Sequence, residues 1–363
     1  MANNSLEKAR NKINEIDARM AELFVERMRA AEEVAEYKKE RGLSIFDEAR
    51  EDEVVRRNSA LVDDEILREY YVNFLRGSMA ISRAYQSRLL EGMKVAYSGT
   101  EGAFAHIAAS KLYPSAKKIS YGDFADAYRA VENGECDVAI LPVENSYNGE
   151  VGQVTDLMFS GSLYVNGMFD LPITQDLLAK EGTSIDEIRE VVSHPQAFGQ
   201  CSEYIKRHEF TRHEFANTAL AAKWVKESAD RSVAAIGSRE AAEIFGLEVI
   251  DHDINENKSN STRFAIFSKV ANKRISENGG VHSILLFTVR NEAGALAQAI
   301  EVIGRQGFNM RTLRSRPMKE LLWEYYFYVE IEGNIQSEAG VSLMESLGEF
   351  CDKLKFAGTY IKL

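Results

Sequence analysis

Apolar residues recur at Ile13, Ile16, Met20, Leu23, Phe24, Ala31 and Val34, a three- and four-residue spacing that draws one stripe along a helix. Neither glycine nor proline interrupts the chain from Leu6 to Arg41, and Gly42 follows. The pattern predicts one helix of about 36 residues, roughly 54 Å long. Two further helices are predicted near Asp47 to Asn58 and Asp64 to Leu90. A helix that long cannot bury its stripe against two shorter ones within one small domain, and a second copy of the chain is the natural partner. Residues 1–92 therefore read as an all-helical, intertwined dimer.

The pattern changes at Met93. Short apolar runs (KVAYSG, DVAILPVEN, REVVSHP, VAAIGS, RFAIFS) alternate with helical stretches (AFAHIAASKLY, FADAYRAVENG, FGQCSEYIKRH, TALAAKWVKES). Strands alternating with helices predict an α/β domain over 93–271, two lobes with a cleft, and functional groups on loops at strand ends. A polar, glycine-ended linker, VANKRISENGG, comes next. From 281 to 363 the order is HSILLFTV, a helix over AGALAQAIEVIGRQG, FNMRTLRSRP, LLWEYYFYVEIEG, a helix over SEAGVSLMESLGEF, and KFAGTYIKL. That order is βαββαβ, an α+β ferredoxin-like unit.

Composition narrows the functions. Of the 363 residues 45% are hydrophobic and 28% charged, a globular balance that excludes a disordered chain. Cys136, Cys201 and Cys351 are far apart, which excludes a disulfide framework and a thiolate zinc site and fits a reducing compartment. The polar start MANNSLEKARNK and the absence of an 18-residue apolar run predict a cytoplasmic protein, neither exported nor membrane-spanning. A net charge of -12 argues against nucleic-acid binding, so an anionic ligand must be held by individually placed Arg and Lys. No HxxxH or HExxH pattern occurs, and His106 within AFAHIAAS reads as a core or capping residue, so neither metal nor cofactor is expected.

Arg27 and Lys38 lie eleven residues apart on the first helix and project within about 20° of one another, beside the apolar stripe. Two cations aligned on one buried face call for acidic partners or an anionic ligand. Arg10 projects roughly 100° away and faces a different pocket, such as the partner subunit's. The string RNKINEIDARMAELFVERMRAAEEVAEYKKERG, with DEAREDEV after it, resembles the all-helical chorismate mutases. The resemblance implies that Arg10, donated across the dimer, and Arg27 bind the two carboxylates of chorismate. It places Lys38 on the breaking ether oxygen and Glu51 on the ring hydroxyl, with Asp47 and Arg50 on the same segment. In SRAYQ, Ser82 and Gln86 match the family's pair, four residues apart on one helix face.

A Claisen rearrangement needs no nucleophile, proton shuttle or metal. Its rate comes from holding the compact conformer and stabilising partial negative charge on the ether oxygen. Lys38 and Gln86 supply donors for that oxygen. A glutamate at 86 would have to be protonated to donate, so Gln86 predicts activity through neutral pH.

Three patterns mark the α/β segment: VAYSGTEGAFAH, LPVENSYNG and STRFAIFS. SGTEG offers backbone N–H groups to an anion at a strand-to-helix turn but lacks the P-loop ending. Glu144, Asn145 and Ser146 put three hydrogen-bonding side chains at a strand's C-terminal end, and Thr262-Arg263-Phe264 sets a hydroxyl beside a guanidinium on an apolar strand. In this order, with SHPQAFGQC and ANTALAAKWV, they resemble the prephenate dehydratases over residues 94–270. That family's fold is two α/β lobes like those of periplasmic binding proteins, with the site in the cleft. The reaction expels the ring hydroxyl and carbon dioxide, and hydroxide leaves poorly without a donor. The resemblance makes Thr262 that group, orienting the hydroxyl or relaying a proton. Arg263 then holds a carboxylate or braces the loop, Phe264 packs on the flat ring, and Asn145 and Ser146 are cleft contacts.

The last unit resembles the ACT amino-acid-sensing modules through Gly294-Ala295-Leu296-Ala297, Asn309 and Ser315-Arg316-Pro317. In that family paired modules bind phenylalanine at their interface and inhibit the enzyme, with a helix N-terminus taking the carboxylate. The family usually reads Glu-Ser-Arg-Pro, whereas this chain has Arg314 at the first position, which reverses a local charge. Together the resemblances imply one homodimeric or larger enzyme that converts chorismate through freely diffusing prephenate to phenylpyruvate, with phenylalanine as regulator. Two rivals remain at this level: an arogenate dehydratase, and a non-enzymatic small-molecule sensor.

Overall fold

The structure is a computed structural model that describes residues 2–272, 280–318 and 324–363. The chain forms two compact units, residues 1–93 and 94–363.

The first unit is three helices, α1 (Ala2–Glu40), α2 (Glu48–Ser59) and α3 (Glu65–Glu91). Asp47 and Asp64 cap α2 and α3, their carboxylates accepting from the Arg50 and Leu67 amides. Met28, Ala31 and Ala35 of α1 are buried, as are Leu75, Met79, Ser82 and Gln86 of α3. The predicted apolar stripe is not buried within one chain. Ile13, Ile16, Met20, Leu23, Phe24 and Val34 remain 43–60% exposed, and of the seven positions Ala31 alone is covered. The reason is length: at about 1.5 Å per residue, α2 and α3 are too short to sheathe a helix of roughly 58 Å.

The second unit begins with β1 (Lys94–Ser98), α4 (Phe104–Leu112), β2 (Lys117–Tyr121), α5 (Phe124–Glu132), β3 (Val138–Asn145), β4 (Gly149–Glu150), α6 (Gly152–Ser160) and β5 (Tyr164–Pro172). It crosses into a second lobe made of β6 (Asp176–Ala179), β7 (Glu190–Ser193), α7 (Pro195–Gln200), α8 (Ser202–Arg207), β8 (Thr211–Glu214), α9 (Thr218–Glu227), β9 (Val233–Gly237), α10 (Arg239–Phe245) and β10 (Glu248–Asp251). The chain then returns as β11 (Ser261–Ser268), which enters the first sheet between β3 and β5. The sheet orders are β2-β1-β3-β11-β5 in the first lobe and β10-β6-β9-β7-β8 in the second. The two crossings are tied by Ile173 N donating to Asn260 O at 2.9 Å. The single helix expected over FGQCSEYIKRH breaks at Cys201 into α7 and α8.

The remainder is β12 (Val281–Val289), α11 (Ala295–Arg305), β13 (Met310–Pro317), β14 (Tyr325–Glu332), α12 (Glu338–Gly348) and β15 (Cys351–Ile361). Its antiparallel sheet has the order β13-β14-β12-β15. Most of the predicted linker, residues 273–279, lies outside the described residues, as does the predicted strand start at Leu321–Trp323. One face of this sheet shares a core with the first lobe, in which Leu141, Phe267 and Met158 meet Ile284, Leu286, Tyr326 and Tyr360. The approach is close: a Cβ at Gly358 would fall 2.1 Å from Val165 O, and the residue's φ of 143° is one that side chains rarely adopt.

Candidate active sites

In the first unit five of the seven positions expected for a mutase lie on or beside the packed faces of the three helices. Arg27 of α1 donates to Ser82 Oγ and, at 3.2 Å, to Ser78 O on α3. Ser82 and Gln86 are 6% and 7% exposed and lie one turn apart on the buried side of α3. Gln86 Oε1 has no hydrogen-bond partner among the described residues. Lys38 Nζ donates at 2.5 Å to Ile45 O in the turn before α2. Glu51 on α2 pairs with Arg83 on α3, whose guanidinium also lies 5.2 Å over the Phe46 ring. Arg83 escaped the sequence reading because a single arginine on a mixed helix face carries no local signal.

Two expected residues stand apart. Asp47 spends its carboxylate as the α2 cap. Arg10 is exposed, about 25 Å along α1 from Arg27 at 1.5 Å per residue, so one chain does not bring it to this group.

In the second unit, β3 and β11 assemble the other site. Thr262 lies opposite Asn145 and Arg263 opposite Glu144, but Phe264 lies opposite Pro142, so Val143 is an extra, unpaired residue. Such a bulge re-aims the side chains beyond it. Opposed residues share a face, so Asn145 and Thr262 project together on one side and Glu144 and Arg263 on the other.

Asn145 is the hub of the first pair. Its Oδ1 accepts from Tyr147 N at 3.0 Å and Asn148 N at 2.9 Å, which fixes the amide's orientation. Its Nδ2 then donates to Thr262 Oγ1 at 2.9 Å, Asn260 Oδ1 at 3.0 Å and Ser261 O at 3.2 Å. Asn145, expected as a substrate contact, thus has both amide ends committed to protein. Asn260 was missed by the sequence reading: it is 2% exposed and its Nδ2 has no partner among the described residues. The signal was present two residues before Thr262, in a polar stretch that reads as ordinary loop. Ser146 is exposed, and its Oγ accepts from Ser261 N at 2.9 Å, bracing the two strand ends.

Arg263 and Phe264 leave this pair. Arg263 Nε donates to Asp170 Oδ1 at 3.0 Å, and its Nη1 lies 3.8 Å from Glu144 Oε2 and 4.0 Å from Glu330 Oε2 of the C-terminal sheet. Burial works against its charge, but Asp170 and Glu330 more than offset that and hold it a firm cation. Of the two expected roles, these ion pairs are those of a brace between strands. Phe264 is 1% exposed, a core residue beneath the site.

The lobes meet through Lys111–Glu240 at 2.9 Å and through Thr100 Oγ1 and Asn217 Oδ1 at 3.4 Å, which draws the SGTEG turn to the second lobe. His106 Nδ1 accepts from Gly102 N, and His194 Nδ1 from Gln196 N, each at 3.2 Å. Burial pushes both imidazoles below 6.5 and favours the neutral acceptor. These are turn and helix caps, and for His106 that is the capping role the sequence suggested. In the C-terminal sheet, Gly294 caps α11 with φ 89°, and Ala295 and Leu296 form its first turn. Asn309 donates to Glu332 Oε2 at 2.8 Å, and Ser315 lies opposite Phe327. Arg316 turns toward the first lobe, where its Nε donates at 3.0 Å to Asp156 of α6. A Cβ at Gly152 would collide with that guanidinium at 2.0 Å, so glycine opens its berth.

The second unit's fold matches solved two-lobed proteins. A prephenate dehydratase from Arthrobacter aurescens, in complex with L-Phe, aligns with a TM-score of 0.68 and 24% identity over 74% of this chain and 90% of that one. A quorum-quenching acylase, GqqA, aligns with a TM-score of 0.69 and 27% identity over 74% and 98%. One fold therefore carries different chemistries, and sequence must decide between them. The prephenate dehydratase family profile matches residues 95–272 and that of type II chorismate mutase matches residues 9–87. The bifunctional chorismate mutase/prephenate dehydratase of Neisseria gonorrhoeae is 32% identical over 358 residues, 97% of this chain and 95% of that one.

The helical unit is thus of the mutase class and the two-lobed unit of the dehydratase class. The chain belongs to the bifunctional chorismate mutase/prephenate dehydratase family. It rearranges chorismate to prephenate, then decarboxylates and dehydrates prephenate to phenylpyruvate.

Proposed function

We propose that the two reactions run at separate sites, with the residues named above in definite roles. For the rearrangement, Arg27, held by Ser82, and Arg10 from a second copy of the chain take the substrate's two carboxylates. Lys38 and Gln86 donate to the ether oxygen as its bond breaks, and Glu51 accepts from the ring hydroxyl. The exposed apolar stripe and the distance of Arg10 from Arg27 both support a homodimer. One C–O bond breaks and one C–C bond forms within a single molecule, so no proton is moved.

For the dehydration, the observation that carries the reading is Asn145 Nδ2 donating to Thr262 Oγ1 at 2.9 Å. A hydroxyl that accepts from Asn145 directs its own proton elsewhere. Thr262 is thereby set to donate to the ring hydroxyl as it departs. The electrons of the bond to the lost carboxylate enter the ring, carbon dioxide leaves, and the hydroxyl leaves as water with a proton drawn from solvent and relayed through Thr262, which ends as it began. Asn145 holds Thr262, and Ser146 and Arg263 brace the strands.

The domains of this reading are 1–92, 93–271 and 281–363, the last an ACT-type module regulated by phenylalanine, in a cytoplasmic enzyme. The relative with bound L-Phe and the βαββαβ order support that assignment. No described helix is long and apolar enough to cross a membrane. The test is to feed chorismate and follow chorismate, prephenate and phenylpyruvate with and without phenylalanine. Phenylpyruvate that falls with phenylalanine is the expected outcome. Insensitivity to phenylalanine would remove the regulatory part, and accumulating prephenate would redirect the second site to arogenate.

A further inference from the structure

We propose that Arg314 is a positioning residue for the dehydratase reaction: from the C-terminal sheet it grips Glu144 and so fixes the strand end that presents Asn145 to Thr262. The inference rests on assigning the Thr262–Asn145 pair to the dehydratase. Arg314 lies on β13, donates to Glu144 Oε1, and stacks its guanidinium 5.9 Å over the Tyr328 ring. Its side chain is 26% exposed and that of Glu144 is 32% exposed, so water screens the pair less than it screens a surface salt bridge.

Glu144 has a second cation nearby, but a divided one. Arg263 is 3.8 Å from Glu144, whereas Asp170 is at 3.0 Å and Glu330 at 4.0 Å. One guanidinium thus faces three carboxylates, and the remaining negative charge at Glu144 is met by Arg314. Without Arg314, Glu144 would keep only the more distant Arg263, which Asp170 and Glu330 share even though Lys362 also pairs with Asp170, and its half-buried carboxylate would lose its direct donor. The bulge at Val143 makes this consequential. Glu144 and Asn145 are consecutive and point to opposite faces, so a turn of the strand that frees Glu144 swings Asn145 away from Thr262. The charge reversal at 314 that departs from the ACT pattern is therefore matched to a partner in the dehydratase lobe. A glutamate there would repel Glu144.

The test uses the full chain, with the mutase rate of each preparation as internal control. Arg314→Ala is expected to lower kcat for prephenate about tenfold or more, with KM within about twofold, because small misplacements of reacting groups act on turnover. Mutase turnover should not change, and Arg314→Lys should regain most of the loss. In a Glu144→Ala background, which removes the acceptor, Arg314→Ala should add no further loss, since the pair is already broken. An unchanged kcat in Arg314→Ala overturns the proposal, as does an equal loss in the Glu144→Ala background. Should Arg314→Ala fail to fold, Arg314→Gln carried through the same cycle decides by the same criteria. Full dehydratase activity in Thr262→Ala would instead overturn the site assignment, which keeps the two failures distinct.

Discussion

Asn145 Nδ2 and Thr262 Oγ1 are 2.9 Å apart, although 117 residues of chain separate them. The amide occupies one acceptor position of the threonine hydroxyl and leaves its proton to another partner. Thr262→Ala should lower dehydration of prephenate by about 10²- to 10³-fold, the loss typical of one aligned donor. Thr262→Ser should retain far more activity, and the mutase rate should be unaffected in both. Steady-state assays on the separate substrates check this, and retained prephenate turnover in Thr262→Ala would refute the assigned role.

The exposed stripe on α1 and the remoteness of Arg10 lead to a mixing experiment. Arg10→Ala and Lys38→Ala should each abolish the mutase and spare the dehydratase. Mixed after confirmed subunit exchange, the two inactive chains should recover part of the mutase activity, because some sites then hold an intact Arg10 and an intact Lys38. No recovery would mean that each chain completes its own site.

Gln86 is buried, its carbonyl oxygen has no partner among the described residues, and its amide N–H groups can donate at any pH. Gln86→Glu should keep mutase activity only where the new carboxyl is protonated. A glutamate titrates near about 4.3 when unperturbed, so the rate should fall as pH rises through the variant's carboxyl pKa, while the parent stays flat. A pH–rate profile of the variant with the same plateau as the parent at neutral pH would contradict the donor role.

Lys355 of β15 donates to the Met158 and Gly161 carbonyls at the end of α6. Burial pushes its ammonium down from 10.5 to about 8. Between those values the unfolded chain binds more protons than the folded one, so this group makes stability rise with pH across that window. Lys355→Met should remove that rise. Denaturant unfolding at a series of pH values, parent against variant, measures it, and equal slopes would contradict the assignment.

The reading of the chain succeeded where function follows local pattern. The absence of breakers between Leu6 and Arg41 predicts α1, and the spacing of Ser82 and Gln86 sets both on the face that meets Arg27. It failed where strands lack an apolar period: β8 has four exposed residues and sits at a sheet edge, where nothing demands a buried face. Arg263 illustrates the same limit within a motif. Its neighbours in sequence belong to the site, yet its carboxylate partners come from β3, β5 and β14, which no spacing along β11 reveals.

By itself the sequence determined the three N-terminal helices and the alternation of strands and helices beyond them, because periodicity is written in neighbouring residues, while the resemblance of its short polar motifs to two families pointed to the two chemistries and to Thr262. Tertiary structure alone decided the bulge at Val143, the turning of Glu144 and Arg263 away from Asn145 and Thr262, and the engagement of Arg314 and Arg316 with Glu144 and Asp156. These depend on the register between strands more than a hundred residues apart and on which sheet covers which face. Packing of the whole chain selects both, and no local stretch encodes either.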